Sequence, residues 1–188
     1  MAKACYVGVD GKARKVKKIY TGVSNVARKV KKGYVGVGGV ARPFYSAEAE
    51  LVYYGTATPL SVARFQLAAT TVGNYALFGG GNEEDYSNVV DAYSATLVQS
   101  TPMGLSAERK LLAATTVGNY ALFGGGYRPR SAVAVVDAYS DTLVRSTPME
   151  LSGGREQLAA TTVGNYALFG GGIGADYFNV VDAYTITQ

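Results

Sequence analysis

The sequence of 188 residues has no histidine and no tryptophan, and Cys5 is its single cysteine. With one cysteine no disulfide can close within a chain, and without histidine no Cys/His metal site can be assembled. The Ser–His and Cys–His nucleophile pairs are excluded on the same ground. Carboxylates are present, but none pair by spacing for acid–base work. No apolar run is long enough to cross a bilayer as a helix. The opening Met1–Gly8 has no apolar core of signal-peptide length. These absences lead to the expectation of a soluble, non-enzymatic protein with no cofactor and no metal, not inserted in a membrane and not exported by an ordinary signal. The redox compartment is unreadable from one cysteine.

What is abundant points to strands. There are 24 glycines and 15 tyrosines, with Val, Thr and Ala filling most of the rest, a mixture suited to strands joined by tight turns. The net charge of +4 hides two opposed regions. Residues 1–46 carry eleven Lys and Arg against Asp10 alone, whereas residues 47–188 carry seven against thirteen acids. The first region is therefore +10 and the second −6, so the two have different tasks or one task in which they meet.

Two repeats follow the same division. The string Leu-Ala-Ala-Thr-Thr-Val-Gly-Asn-Tyr-Ala-Leu-Phe-Gly-Gly-Gly begins at Leu67, Leu112 and Leu158, spaced by 45 and 46 residues. Val-Val-Asp-Ala-Tyr recurs with it from Val89, Val135 and Val180, and Leu-Ser-x-x-Arg ends at Arg64, Arg109 and Arg155. Each unit predicts four strands, in the first case Leu67–Val72, Tyr75–Phe78, Val89–Tyr93 and about Thr96–Ser100. Gly73-Asn74 makes a two-residue hairpin turn. No segment keeps a 3.6-residue apolar period over helical length.

An apolar strand ending in a glycine pair, a looped-out segment, and a strand ending Asp-x-Tyr resemble the kelch repeat. The glycine doublets at 79–80, 124–125 and 170–171 carry the resemblance, which covers about 140 residues. It departs from the kelch pattern where Val98 and Val144 stand for the usual fourth-strand tryptophan. The resemblance implies an all-β fold of three four-stranded antiparallel blades, preceded by a small basic β-hairpin meander. Glu50–Gly55 aligns with a fourth strand and the sequence stops just after a third one, the layout of a ring closed by its own ends. Propellers have about four to eight blades, so three cannot enclose a normal axis. The favoured arrangement is half of a six-bladed propeller completed by a second chain. A three-sided β-prism comes next, and an open arc is the third.

Residues 1–46 repeat every 14 residues, at Tyr6-Val-Gly-Val, Tyr20-Thr-Gly-Val and Tyr34-Val-Gly-Val. Asp10-Gly11, Ser24-Asn25 and Gly38-Gly39 are turn pairs. A meander of short hairpins ending near Pro43 is expected, marginal alone. The pairing of this leader (Tyr6–Lys18, Tyr20–Lys32, Tyr34–Pro43) with the three Tyr-Ala-Leu-Phe-Gly-Gly-Gly strings resembles virion-associated proteins of bacteriophages and prophages of Gram-positive bacteria. That resemblance implies a virion structural (tail fibre or decoration) or receptor-binding protein, its leader attached to the particle and its repeats displayed. Copies of itself, other virion proteins and a host surface glycan or wall polymer are the implied partners. The alternative is a stand-alone glycan-binding, lectin-like or protein-interaction kelch module.

Near-identical units also show where the fold does not dictate the residue. Divergence is greatest after each triple glycine, which makes Asp85, Tyr86, Tyr127, Arg128, Arg130, Asp176, Tyr177 and Phe178 candidate binding residues on scaffolded loops. Val62-Ala63, Ala107-Glu108 and Gly153-Gly154 also differ. Arg64, Arg109, Arg155, Asp91, Asp137 and Asp182 occupy equivalent positions and read as structural groups satisfying loops or each other between blades. The triple glycines lack a following helix, so they read as turns and close backbone approach rather than a phosphate cradle. Lys15, Lys17, Lys18, Arg28, Lys29, Lys31 and Lys32 form a basic patch that reads as a solvated or subunit-bridging face; nucleic acid is not the expected partner.

Overall fold

The computed structural model describes residues 6–9, 12–16, 18–23, 26–37, 40–46 and 51–187. Among them there is no helix. The chain divides into two compact units, Met1–Gly55 and Thr56–Gln188. The division falls after Gly55 rather than after Ser46 as the sequence suggested.

The first unit holds three hairpins: β1 (Tyr6–Val9) with β2 (Lys12–Lys15), β3 (Tyr20–Val23) with β4 (Val26–Lys29), and β5 (Lys32–Val37) with β6 (Val40–Ser46). The 14-residue period is kept in the pairing, since Tyr6 lies opposite Lys15 and Tyr20 opposite Lys29. The expected short hairpins are present, and among the described residues each is its own two-stranded sheet. Val30 N–H donates to Ile19 O at 2.7 Å, which extends the second hairpin by one pair beyond Tyr20 and Lys29. Strand β6 runs beyond Pro43 to Ser46. Its proline faces Tyr34, next to a register shift at Gly33, where a missing N–H is tolerated. The three turn pairs lie outside the described residues.

The second unit contains the three repeats as three antiparallel sheets. The first joins β7 (Ala68–Val72), β8 (Tyr75–Gly79), β9 (Val90–Ser94) and β10 (Gln99–Ser100). The second joins β11 (Ala113–Val117), β12 (Tyr120–Gly124), β15 (Val136–Ser140) and β16 (Arg145–Ser146), with a short hairpin of β13 (Tyr127–Arg128) and β14 (Ser131–Ala132) between its middle strands. The third joins β17 (Ala159–Val163), β18 (Tyr166–Gly170) and β19 (Val181–Thr185). Register is the same in all three: Phe78, Phe123 and Phe169 lie opposite Asp91, Asp137 and Asp182.

Local chemistry explains these elements. Ala-Ala-Thr-Thr-Val alternates buried and open positions in β11, the two-residue period of a strand. The turn after it is tight because Gly118, like Gly73, takes a positive φ, +51° and +53° respectively. The fourth strands are shorter than expected. Thr96–Val98 is turn and irregular chain, with Leu97 at φ 61°, and Ser94 Oγ accepts from the Val98 N–H instead of leaving it for a strand partner. Leu51–Gly55 forms no strand and its side chains are exposed, which corrects the expected fourth strand at 50–55; Glu50 itself is not described.

Two cores form, one at each seam between consecutive sheets. Val72, Leu77, Val90 and Ala92 of the first sheet pack with Leu112, Ala121, Phe123 and Tyr139 of the second. Val117, Leu122, Val136 and Ala138 of the second pack with Leu158, Ala167 and Phe169 of the third. Burying one of the Val, Leu or Phe side chains contributes about 1.5–3 kcal/mol. The first strands β7, β11 and β17 lie next to one another in that order. No core cluster among the described residues joins the third sheet to the first, as a three-sided prism would need.

Candidate functional rim

Each of the three sheets carries the same ion pair. Arg64, Arg109 and Arg155 reach Asp91, Asp137 and Asp182 at 2.7, 2.8 and 2.7 Å. All three arginine side chains are fully buried, as are Asp91 and Asp137. Each pair closes within one blade, so these side chains are not the bridges between blades that the sequence suggested. The arginine backbone makes that bridge: Arg109 O accepts from Gly81 N–H and Arg155 O from Gly126 N–H, both at 2.9 Å. Gly80, at φ +68°, shows why glycine is required here. A Cβ on it would lie 2.7 Å from Arg109 O.

The serine of each Leu-Ser-x-x-Arg motif completes the lock. Ser61, Ser106 and Ser152 each donate a backbone N–H to the paired aspartate at 3.1 Å. Burial disfavours the Asp91 carboxylate, but hydrogen bonds from Ser61, Arg64 and Gln99 outweigh it and hold the carboxyl below its ordinary range. Asp182 is lowered in the same way, burial being overcome by Arg155 and Ser152. A tyrosine sits edge-on to the core phenylalanine of each blade, with ring centroids 5.8–5.9 Å apart. Its hydroxyl donates to Thr58 O, Met103 O or Met149 O. Burial, followed by the Asp182 charge, pushes Tyr184 up to about 12.

The residues that differ between units gather on the rim above these locks. The loops 82–88, 127–134 and 173–179 leave equivalent second strands, and the incoming connectors pair with them through Phe65–Asn82, Lys110–Tyr127 and Glu156–Ile173 bridges. The sequence flagged both sets of variable positions without showing that they adjoin. The first loop is acidic, with Glu83, Glu84 and Asp85 exposed. They border an open recess of about 710 Å³, lined also by Val62, Ala63, Arg64, Phe65 and Asn82. The second loop is basic. Arg128 is half-buried on the short hairpin, and Arg130 stands exposed at its tip with φ 76°.

Tyr86 and Tyr127 come together across the first seam, with ring centroids 6.2 Å apart, and Lys110 Nζ lies 5.3 Å from the Tyr86 ring centre. Lys110 was not among the residues singled out from sequence; it lies just after an invariant arginine and matches Phe65 and Glu156 in the other units. Asp176 and Tyr177 are exposed. Phe178 is not an outward contact as expected. Its ring stacks over the Arg155 guanidinium at 5.4 Å and crowds Gly153 and Gly174, so it covers the buried ion pair. No group of three acidic, His or Cys side chains among the described residues could hold a metal.

The basic positions lie in the first unit. Lys15 is on β2, Arg28 and Lys29 on β4, and Lys32 on β5, with Lys18 and Lys31 in the connecting stretches. Lys29, Lys31 and Lys32 are exposed, Lys17 lies outside the described residues, and the Arg28 side chain is likewise not described.

No family model and no curated protein matches the sequence. Among solved structures the fold is similar to that of YjhT, with a TM-score of 0.62 and 16% identity over 72% of this chain. The match takes up 46% of the YjhT chain, so this chain spans less than half the length of that neighbour.

Proposed function

We propose that the chain is a non-enzymatic binding module whose blades are of β-propeller type and whose rim loops read a partner. One observation carries this reading. Residues shared by the three units form the ion-pair locks and, between consecutive sheets, the buried seams, while the longest run of residues that differ between them lies in the loops of one exposed rim. A scaffold that changes most in its exposed loops suits recognition. The aromatic and charged composition of the rim suits it too. The fold likeness to YjhT supports the propeller-type reading of the blades.

The likeness of leader and repeats to virion-associated phage proteins favours a structural or receptor-binding part of a virion, displayed by its blades and anchored by the basic hairpins. Other virion proteins are then the partners of the leader, and a host surface glycan or wall polymer is the partner of the rim. The Tyr86–Tyr127–Lys110 cluster supports a second reading, a stand-alone lectin-like module, since aromatic faces pack against sugar rings. Binding of the full chain to Gram-positive cell walls and to a glycan array tests both. The double variant Tyr127→Ala with Arg128→Ala is expected to lose at least tenfold in wall or glycan binding while keeping its far-UV circular dichroism. Unaltered binding by a folded variant would remove the rim from the proposal.

A further inference from the structure

The two seams inside the second unit are built from the same parts, and a third set of those parts lies bare at the two ends of the blade series. At the first seam the Phe123 ring presses on Gly79, its Cε1 2.8 Å from where a Cβ would stand. At the second, Phe169 presses on Gly124 at 2.7 Å. Gly170 is the next socket in this series, and a Cβ there would meet only Val181 Cγ2, at 3.4 Å. Phe78 is the ring without a socket; it is half-buried where Phe123 and Phe169 are fully buried.

Valines tell the same story by position. Val72 and Val117 are 2% and 4% exposed, but the equivalent Val163 is 61% exposed. Val90 and Val136 are 1% exposed, against 59% for Val181. An open apolar face of this kind on a soluble fold marks an interaction surface.

The polar half of the seam is also left over. Across the first seam Gly81 N–H donates to Arg109 O, Arg109 N–H to Ser87 O, Leu105 N–H to Asn88 O and Leu111 N–H to Gln66 O, at 2.7–3.0 Å. Across the second, Gly126, Arg155, Leu151 and Gln157 make the same four bonds, to Arg155, Val133, Ala134 and Leu111, at 2.9–3.2 Å. The next members, Gly172 N–H and the carbonyls of Phe178, Asn179 and Gln157 on the third blade, have no such partner among the described residues.

We propose that a second copy of this chain covers the bare face of the third blade. Its first blade inserts Phe78 against Gly170, and the contact made reciprocally closes two copies into a six-bladed ring. The occupant is set by the internal seams: what covers the first and second blades is the Phe-bearing face of a near-identical unit, and the free face of that type belongs to the first blade. Four bonds follow, from Gly172 N–H to Arg64 O, and from Arg64, Leu60 and Gln66 N–H to Phe178, Asn179 and Gln157 O. A head-to-tail contact either closes or propagates, and six blades lie within the range that closes. Two copies of the matched part would span about the length of YjhT, of which one covers 46%.

The inference rests on the propeller-type reading above. A chain that binds through its rim yet stays single would sink the seam alone, whereas a two-copy ring with an inert rim would sink the binding reading alone. The test is the mass of the full chain by light scattering over a dilution series. Twice the chain mass is expected. Gly170→Leu and Val181→Glu alter positions that are open in the single chain, and each is expected to reduce the mass to one copy without loss of strand signal. In the two-copy form, amide exchange at Gly172, Leu60 and Gln66 is expected to slow at least tenfold relative to either variant. A single-chain mass at every concentration, a dimer that both variants retain, or growth beyond two copies would each overturn the proposal.

Discussion

The second and third blades carry nearly the same strands and live in different surroundings. Val117 is buried under the third blade while its equivalent Val163 faces solvent. Leu122 and Ala138 are buried, whereas the equivalent Leu168 is half-buried and Ala183 exposed. Over the three strands they share, the pairing is nevertheless the same residue for residue. Backbone register is therefore set inside each blade, by turn and strand chemistry, and seam burial is added by the neighbour. A core residue in a repeat is defined by its position in the series as much as by its identity.

The ion pairs should break that comparison most sharply. Arg109→Met leaves the buried Asp137 with only the more distant Arg145, at 3.8 Å, and is expected to cost about 3 kcal/mol, with much of the loss recovered when Asp137→Leu is added. Arg155→Met should cost less, because the Asp182 side chain is partly exposed at 19% and water can reach it. Denaturant unfolding of the three variants checks the order. A reversed order would mean that water access at Asp182 does not soften the loss of its cation.

Truncating the valines sharpens the same contrast. Val117→Ala is expected to destabilise by about 1.5–3 kcal/mol, and Val163→Ala, measured in dilute chain, by under about 0.5 kcal/mol. Equal effects would show that the third blade is covered in solution even at low concentration.

Acid gives the smallest effect at physiological pH. The lowered pKa values of Asp91 and Asp182 mean that these carboxyls bind protons more readily in the unfolded chain. Their contribution is complete above the ordinary aspartate pKa of about 3.9 and is lost as pH falls through the lower native values. The unfolding midpoint should therefore change little from neutrality towards that value and drop below it. In Asp91→Asn the drop should be shallower.

Much of this was legible in the residues because duplication printed the pattern three times. The strands, the hairpin at Gly73-Asn74, the glycine crowding and the equivalence of the arginines and aspartates could all be read from spacing. The pairing of Arg64 with Asp91 inside one blade could not, because spacing does not say which of two adjacent blades supplies a partner. Phe178 was misread as an outward contact for a related reason. Its fate depends on the small Gly153 and Gly174, which admit its ring, while Ser87 fills the equivalent place in the first unit. The fourth strands were overextended because Thr96–Val98 has strand-like composition, yet the Ser94 hydroxyl and the left-handed Leu97 turn it aside. Tyr54 and its neighbours looked like a strand by alignment but find no edge in the described chain.

The hairpin β13–β14 has a consequence for how such a chain can change. The second rim loop is one residue longer than the other two and folds back on itself, yet Gly124 still faces Val136 as Gly79 faces Val90 and Gly170 faces Val181. Length added at that site is absorbed before the next strand begins. The connection between the second and third strands is therefore a place where chain length changes while the register beneath it is kept, so the exposed surface can vary without the framework.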